Sequence, residues 1–484
     1  MKDFIKKNWQ ILSLELLVII AFATFYGKFG DFMVDSFREV YIPQQMLKGE
    51  VLYKNIFAIY PPLAYLINAF LMKIFGNSQN ILYFAGLFST MSIIFYTNKI
   101  AQNFCKKFDA ISICLFIIAG LVLSPNVFNA FFPYSYGILY GILFVLISIH
   151  QAVNKKFPSS YFFYSLAILC KYEFVLLLPL LIIWSKNFEW KKNLATFLLP
   201  IFLTCVILIY QGLRIDDIKA TFDILNIMSS TQTLYWFYSV SGLIFRIELI
   251  PIYIINFIKF LIPIYWQQYQ EIIIWILPFI SIGLIFRFKK LNINQRFFVI
   301  ASILICAKIL FALNLQSYGV YFIPFALISL YIITPSRFKK FLSIILIIWS
   351  LIIGGFNINN LCHKKTSYNI VIKYVKENTL PKDRVLVYPE CLSINVLTNR
   401  NSDSKFYSLI PLYVETFGED LIIKRLEKIK PEYIIINNYD TSTYYYKEFG
   451  KDYAQKILEL IKKIYIHECT LREDDLKFDV YKRI

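Results

Sequence analysis

Apolar stretches of 15–20 residues recur along this chain from Ile11 to Phe356, separated by short basic clusters. A helix of that length satisfies its own backbone hydrogen bonds and needs no water beside it, which is what a lipid bilayer demands of a segment. Only 17% of the 484 residues are charged, against about 25% in an ordinary soluble domain, and the mean hydropathy is +0.56. Most of the chain therefore reads as a polytopic α-helical membrane protein. Residues 1–361 carry 29 Lys+Arg against 14 Asp+Glu, a net +15; residues 362–484 carry 21 against 18, a net +3, and the two make up the formal +18. A basic excess between apolar spans marks cytoplasmic loops rather than a nucleic-acid surface, so nucleic acid is excluded as a partner.

The charge pattern sets an expected topology. Lys2, Lys6 and Lys7 followed by apolar 11–25 have the outline of a signal peptide, with Ala21-Phe22-Ala23 like a cleavage site. Glu15 interrupts the apolar core and further apolar segments follow, so we read a retained signal anchor with its N-terminus in the cytoplasm. Six basic clusters then mark the inside: the N-terminus, Lys99/Lys106/Lys107, Lys155/Lys156, Lys186/Lys191/Lys192, Arg287/Lys289/Lys290/Arg296 and Arg337/Lys339/Lys340. One crossing, 81–98, fits between the first two clusters. Leu63–Phe75 is shorter than the roughly 20 residues of a span and should lie along the outer surface, inside a long outer loop covering 27–80. Further crossings fall at 109–124, 134–152, 159–171, 172–185, 193–212, 272–286, 297–315, 318–333 and 341–357. The count is about eleven, or thirteen if 249–265 within 213–271 adds a pair, and either way the tail faces outward.

The pattern becomes that of a soluble domain after Asn360. Helices are expected at 367–377, 419–429 and 453–463. Strands are expected at 385–388 and 433–436, with weaker ones near Tyr465 and 478–481. Alternating strands and helices predict a three-layer α/β domain of about 120 residues. The expected division is 1–361 for the membrane part and 362–484 for a soluble extracytoplasmic α/β domain. The tail has no Gly-rich strand-to-helix turn, so nucleotide binding has no support. The eight cysteines include no CxxC; Cys362, Cys391 and Cys469 allow one disulfide without demanding it. His150, His363 and His467 are too scattered for a zinc site. No cofactor is called for, and a divalent metal is left open.

Candidate chemistry gathers at the expected outer face. In the first loop, Asp31 and Asp35 follow the first span closely, and Asp35, Arg38 and Glu39 stand at i, i+3 and i+4, one face of a helix. That face offers a carboxylate base and a cation for a phosphate; its plainer reading is a salt-bridged amphipathic helix. Lys171-Tyr172-Glu173 lies between two short apolar segments, where a buried Lys and Glu are costly unless paired or functional; the alternative is an ion pair closing a hairpin. Lys308 falls roughly 10 Å of helix rise below the outer end of 297–315, which calls for an inward partner such as a carboxylate or lipid phosphate. Pro133-Tyr134-Ser135-Tyr136-Gly137 and Ser317-Tyr318-Gly319-Val320-Tyr321 each read alone as interfacial aromatic segments.

Asp35-Ser36-Phe37-Arg38-Glu39-Val40-Tyr41-Ile42-Pro43, Gly49 to Tyr53, Tyr60-Pro61-Pro62-Leu63 and Phe75-Gly76 together resemble the multi-pass bacterial glycosyltransferases of the GT-C superfamily. The likeness is to the protein O-mannosyltransferase and aminoarabinose-transferase group, and Lys171-x-Glu173, 133–135 and Tyr318-Gly319 look like its outer-face segments. The first-loop motif is the strongest of these. The resemblance implies a GT-C-like fold and transfer of a sugar from a polyprenyl-phosphate donor to a lipid, glycan or protein acceptor at the outer face of the cell membrane. A first-loop acid would serve the acceptor; Asp35 matches that motif, but Ser36 stands where the family often has a second acid, so Asp31 stays open as the base, with Glu39 beside them. Arg38, Lys171 and Lys308 are the candidates for holding the donor phosphate, and Tyr60, Tyr134, Glu173 and Tyr318 for lining the substrate. A lipid or glycan transporter, or a lipid-glycan polymerase, is the alternative; a transporter should carry its polar residues near the midplane in related halves.

Overall fold

The computed structural model describes residues 2–33, 35–185, 189–231, 272–307, 316–364, 368–403, 405–473 and 475–484. The chain forms two compact units. The first takes Met1–Gly30, Tyr60–Ile207 and Val240–Lys365; the second takes Asp31–Ile59, Leu208–Ser239 and Thr366–Ile484. The second unit thus includes most of the first loop as well as the tail.

Helices make up the first unit. Among the described residues Gln79–Gln102, Tyr136–Val153, Trp190–Tyr210 and Ser336–His363 are long and apolar enough to cross a membrane. Shorter apolar helices accompany them, among them Asn8–Thr24, Leu63–Phe75, Phe157–Cys170 and Ile293–Cys306. Trp190–Tyr210 turns Leu198, Phe202, Val206 and Ile209 outward, an apolar surface that suits lipid and not water. The expected crossing 109–124 is helical over Lys107–Ile117 and then widens to a π turn at Ile118–Val122, where the Asn357 amide donates to the Ala119 carbonyl at 2.8 Å. The expected 318–333 begins as a 3-10 turn, Gln316–Phe322, before Ile323–Ile333. The expected 341–357 is the middle of the longer helix Ser336–His363. The segment 249–265 lies outside the described residues.

One hairpin of this unit matters for the chemistry. Tyr136–Val153 and Phe157–Cys170 pack side by side, with Ser148 and Ser160 hydroxyls 3.0 Å apart near the connecting turn. At its far end the chain leaves Cys170 for the 3-10 turn Tyr172–Leu177 and the helix Leu178–Trp184, and the return is closed by the Tyr161 and Ser185 hydroxyls at 2.9 Å. Gly137 makes the approach possible: a Cβ there would stand 2.6 Å from the Cys170 carbonyl oxygen. The 14 residues of Phe157–Cys170 rise only about 21 Å, short of the roughly 30 Å of a hydrocarbon core, so Lys171 at its end is set into apolar depth.

The second unit is built on a four-stranded sheet of β1 (Val385–Tyr388), β2 (Tyr433–Asn437), β3 (Tyr465–Glu473) and β4 (Leu476–Arg483), in the order β1-β2-β4-β3. β1 and β2 are parallel, with Tyr388 opposite Ile436; β4 is antiparallel to both of its neighbours. The period of two in β1 and β2 feeds two cores. Leu386, Tyr388, Ile434 and Ile436 meet Ile422 and Leu426 of Glu419–Ile429 and Ile457 and Ile461 of Gln455–Ile464. Val385, Val387, Tyr433 and Ile435 meet Val371 and Val375 of Asn369–Asn378 and Ile394 of Leu392–Thr398. These are the three layers expected of the tail, with helix ends displaced by one or two residues. Met33 is part of the second core, and the Tyr41 hydroxyl of the first-loop helix Arg38–Leu47 accepts the Ser402 N–H at 3.1 Å. The eight cysteines are free thiols, so the tail has no disulfide.

The tight contact at Gly137 generates a prediction. Gly137→Ala should cost about 1–3 kcal/mol through overpacking against a backbone carbonyl that cannot rotate away. Gly355→Ala, with nothing within 4 Å of the new Cβ, should be neutral or slightly stabilising. Thermal unfolding of the two variants in detergent compares them; equal midpoints would mean that the hairpin is looser than described.

Candidate active site

Two clusters of the expected residues form, one in each unit. In the second unit, the first loop is shaped by its own side chains. The Asp31 carboxylate accepts the Met33 N–H at 2.7 Å, and the Ser36 hydroxyl accepts the Asp31 N–H at 3.1 Å. This local turn, with Met33 anchored in the core, delivers Asp35 to a left-handed backbone conformation, φ 56°, which Asp tolerates better than most residues. The helix begins only at Arg38, so Asp35 does not share a helical face with Arg38 and Glu39, and that expectation is corrected. The three meet through Arg38 instead. Its Nη1 donates to Asp35 Oδ1 at 2.6 Å, and its Nε stands 3.6 Å from Glu39 Oε1. Arg38 and Glu39 are buried, whereas the Asp35 side chain is 28% exposed and remains within reach of a bound molecule.

Sequence reasoning missed Glu390. It follows the cis Tyr388–Pro389 bond beyond the carboxyl end of β1, and the Asn437 amide at the end of β2 holds its carbonyl at 2.9 Å. Burial, and after it the Asp35 charge, pushes the Glu390 carboxyl up to about 8. Arg38 and a hydrogen bond from the Asp35 backbone draw it back, and Asp31 adds to the rise. Tyr413 is pushed up to about 12 by burial, against the pull of Arg38. Burial likewise raises Tyr439 and Tyr444, reinforced by the carboxylates of Asp31, Asp35 and Glu390 around Tyr439 and of Asp35 and Glu390 around Tyr444. Four carboxyl groups, one guanidinium and three phenols thus share one field. The signal that could have found Glu390 is its place, since α/β sheets present ligand-binding residues beyond the carboxyl ends of parallel strands.

The first unit brings Tyr60 and Tyr134, which the sequence offered separately, to Lys171 and Glu173, which it offered as one segment and a possible ion pair. Lys171 is 2% exposed at the hairpin tip. Its ammonium donates to the Tyr134 hydroxyl at 3.3 Å, lies 3.6 Å from the centre of the Tyr60 ring and reaches Glu173 Oε1 only at 3.9 Å. Ring faces and a hydroxyl solvate part of the charge and leave an anion-attracting site in a low-dielectric setting. Tyr318 falls in the 3-10 turn Gln316–Phe322, and its side chain lies outside the described residues, as does Lys308. Among the described residues no three or more His, Cys, Asp or Glu side chains converge as a metal ion requires.

Comparison with protein-family models and with curated proteins finds no match. Solved structures do match. The chain is similar to ArnT from Cupriavidus metallidurans, solved with undecaprenyl phosphate, at 10% identity and a TM-score of 0.59 over 99% of this chain and 98% of that one. It is also similar to the Archaeoglobus fulgidus oligosaccharyltransferase solved with Zn and sulfate, at 10% identity and a TM-score of 0.56 over 98% and 73% of the two chains. The same organism's AglB, solved with an inhibitory peptide and a dolichol-phosphate, matches at 9% identity and a TM-score of 0.51 over 90% and 70%. The chain shares the fold of these structures, with apolar helices long enough to cross a membrane and a small C-terminal α/β sheet domain.

The state of Glu390 is open to test. Its folded value near 8 stands above the ordinary 4.5, so between these pH values the folded protein keeps a proton that the unfolded chain has lost. The stability from this group is complete below about pH 4.5 and fades as pH rises through 8. Glu390→Gln should therefore flatten the fall in melting temperature between pH 5 and pH 9 while matching the native protein at pH 5. Parallel pH profiles for the two proteins would rule out a protonated Glu390.

Proposed function

We propose that this protein transfers a sugar from a polyprenyl-phosphate-linked donor to an acceptor hydroxyl, with inversion at the sugar carbon. The observation that carries the reading is the buried Lys171, held by tyrosine rings and a distant carboxylate within a GT-C fold. A buried cation held in place by tyrosine rings, a hydroxyl and a carboxylate suits a lipid phosphate. That ArnT was solved with undecaprenyl phosphate, and AglB with a dolichol-phosphate, supports a lipid-linked donor.

In this reading Asp35 takes the proton of the acceptor hydroxyl as its oxygen bonds to the anomeric carbon. The bond from that carbon to the phosphate oxygen breaks, and its electron pair leaves with the lipid phosphate, whose charge Lys171 stabilises. Arg38 is committed to Asp35 and Glu39, so its part is to orient Asp35 rather than to hold the donor phosphate. Tyr60, Tyr134 and Glu173 set the Lys171 ammonium. Asp31, whose carboxylate is engaged by Met33 N–H, shapes the turn. Lys308 and Tyr318 keep their expected roles toward phosphate and substrate, and the acceptor is a lipid, glycan or protein hydroxyl. The basic clusters support a cell-membrane protein with its N-terminus in the cytoplasm and its tail and chemistry on the outer face.

The test is transfer of labelled sugar from polyprenyl-phosphate donors by the purified protein in detergent. Asp35→Asn should lower turnover by about 10²–10⁴-fold, the usual loss for a general base. Lys171→Gln should lower it by roughly 10²-fold or more, with Lys171→Arg retaining part of the activity. Full activity in a folded Asp35→Asn protein would move the base to Asp31 or Glu39. Binding of the lipid phosphate without turnover on any donor would favour transport.

A further inference from the structure

Far along the chain from the residues discussed so far, the first unit has a cleft of about 550 Å³ lined by Lys106, Phe108, Asp109, Ser336, Lys339 and Lys340 among others. We propose that this cleft binds a phosphate-bearing ligand, and that the ligand's phosphate sits among Lys106, Lys339 and Lys340.

Charge is the first argument. Three lysines line the cleft with one carboxylate, and that carboxylate is taken. Asp109 Oδ2 accepts the Lys106 N–H at 3.1 Å, and Oδ1 accepts the Ser343 hydroxyl at 2.7 Å. Asp109 is buried and engaged at the helix start, and its charge also acts on Lys339, so three lysines against one carboxylate leave the cleft net positive. Among the described residues no ion pair forms to Lys106, Lys339 or Lys340. Backbone is the second argument. The helix Ser336–His363 starts at the cleft with no side-chain cap, so its first N–H groups and the positive end of a 28-residue helix add to the lysines.

Depth is the third argument. The apolar helix Gln79–Gln102 ends beside the cleft and Lys107–Ile117 begins there; Ile323–Ile333 ends shortly before it and Ser336–His363 begins at it. Two of these helices, Gln79–Gln102 and Ser336–His363, are long and apolar enough to cross a membrane, and a cleft at the end of one and the start of the other fits the headgroup level. Phe108, Phe338 and Phe341 are exposed around the lysines, as rings resting on acyl chains would be. A phosphate ester reaches such a cleft either as the headgroup of an anionic lipid or as a soluble phosphate compound from the adjoining water.

The experiment uses the full-length protein, delipidated in neutral detergent and titrated with short-chain phosphatidylglycerol, phosphatidylcholine, glycerol 3-phosphate or inorganic phosphate. Native mass spectrometry and thermal unfolding report binding. Phosphatidylglycerol should bind saturably, and phosphatidylcholine should not. Lys106→Gln/Lys339→Gln/Lys340→Gln should weaken binding by on the order of ten- to a hundredfold. The control Lys289→Gln/Lys290→Gln should leave it unchanged, and the single variant Lys340→Glu repeats the test with less risk to folding. Binding of glycerol 3-phosphate or inorganic phosphate, lost in the same variants, would support the site with a soluble ligand. Equal binding by native protein and both cleft variants, or equal binding of the two lipids, would overturn it.

Discussion

A cation that has given up water must be held by whatever the fold puts around it, and Lys171 is in that position. One arm of the hairpin that carries it, Phe157–Cys170, is shorter than a full span, and Lys171 at its end is buried. The missing side chain of Gly137 lets the Cys170 carbonyl close in, which fixes where Lys171 emerges. From there the ammonium finds a ring face, a phenol hydroxyl and a carboxylate at the limit of ion-pair distance. A tight ion pair would have neutralised it. The arrangement observed keeps the charge in place through several weaker contacts.

The first-loop cluster solves the opposite problem, too many negative groups around one guanidinium. Arg38 satisfies Asp35 directly and Glu39 more loosely. Glu390, buried and facing the Asp35 charge, is eased by keeping its proton near neutral pH, so the field around Arg38 carries one negative charge fewer than its carboxyl count suggests. The tyrosines around it, Tyr413, Tyr439 and Tyr444, remain neutral phenols for the same reason.

Local pattern was readable and distant assembly was not. The tail's strands and helices lie within a residue or two of where apolar periodicity puts them, because each buries one face against a neighbour. Asp35, Lys171, Tyr60 and Tyr134 stood out one at a time by residue type. That Tyr60, Tyr134 and Lys171 meet depends on helix packing, which no local spacing encodes. The shared helical face of Asp35, Arg38 and Glu39 failed because a turn, set by Asp31 and Ser36 with Met33 anchored beside it, delays the helix to Arg38. Glu390 gave no signal in Tyr388-Pro389-Glu390-Cys391, since its meaning comes from the loop that arrives from the other end of the chain. Met33 was invisible as core for the same reason: the apolar triplet Phe32-Met33-Val34 is too short to show a period.

That loop gives the protein a built-in order of completion. Met33 joins a core whose other members begin at Val371, and Asp35 faces Glu390 across more than 350 residues of chain. A ribosome has inserted every apolar helix before the residues that seat the first loop exist. Until the last strands are made, Asp35 has no partner from the sheet and no fixed place. A chain cut short before its C-terminal sheet would lack the residues that complete the core around Met33.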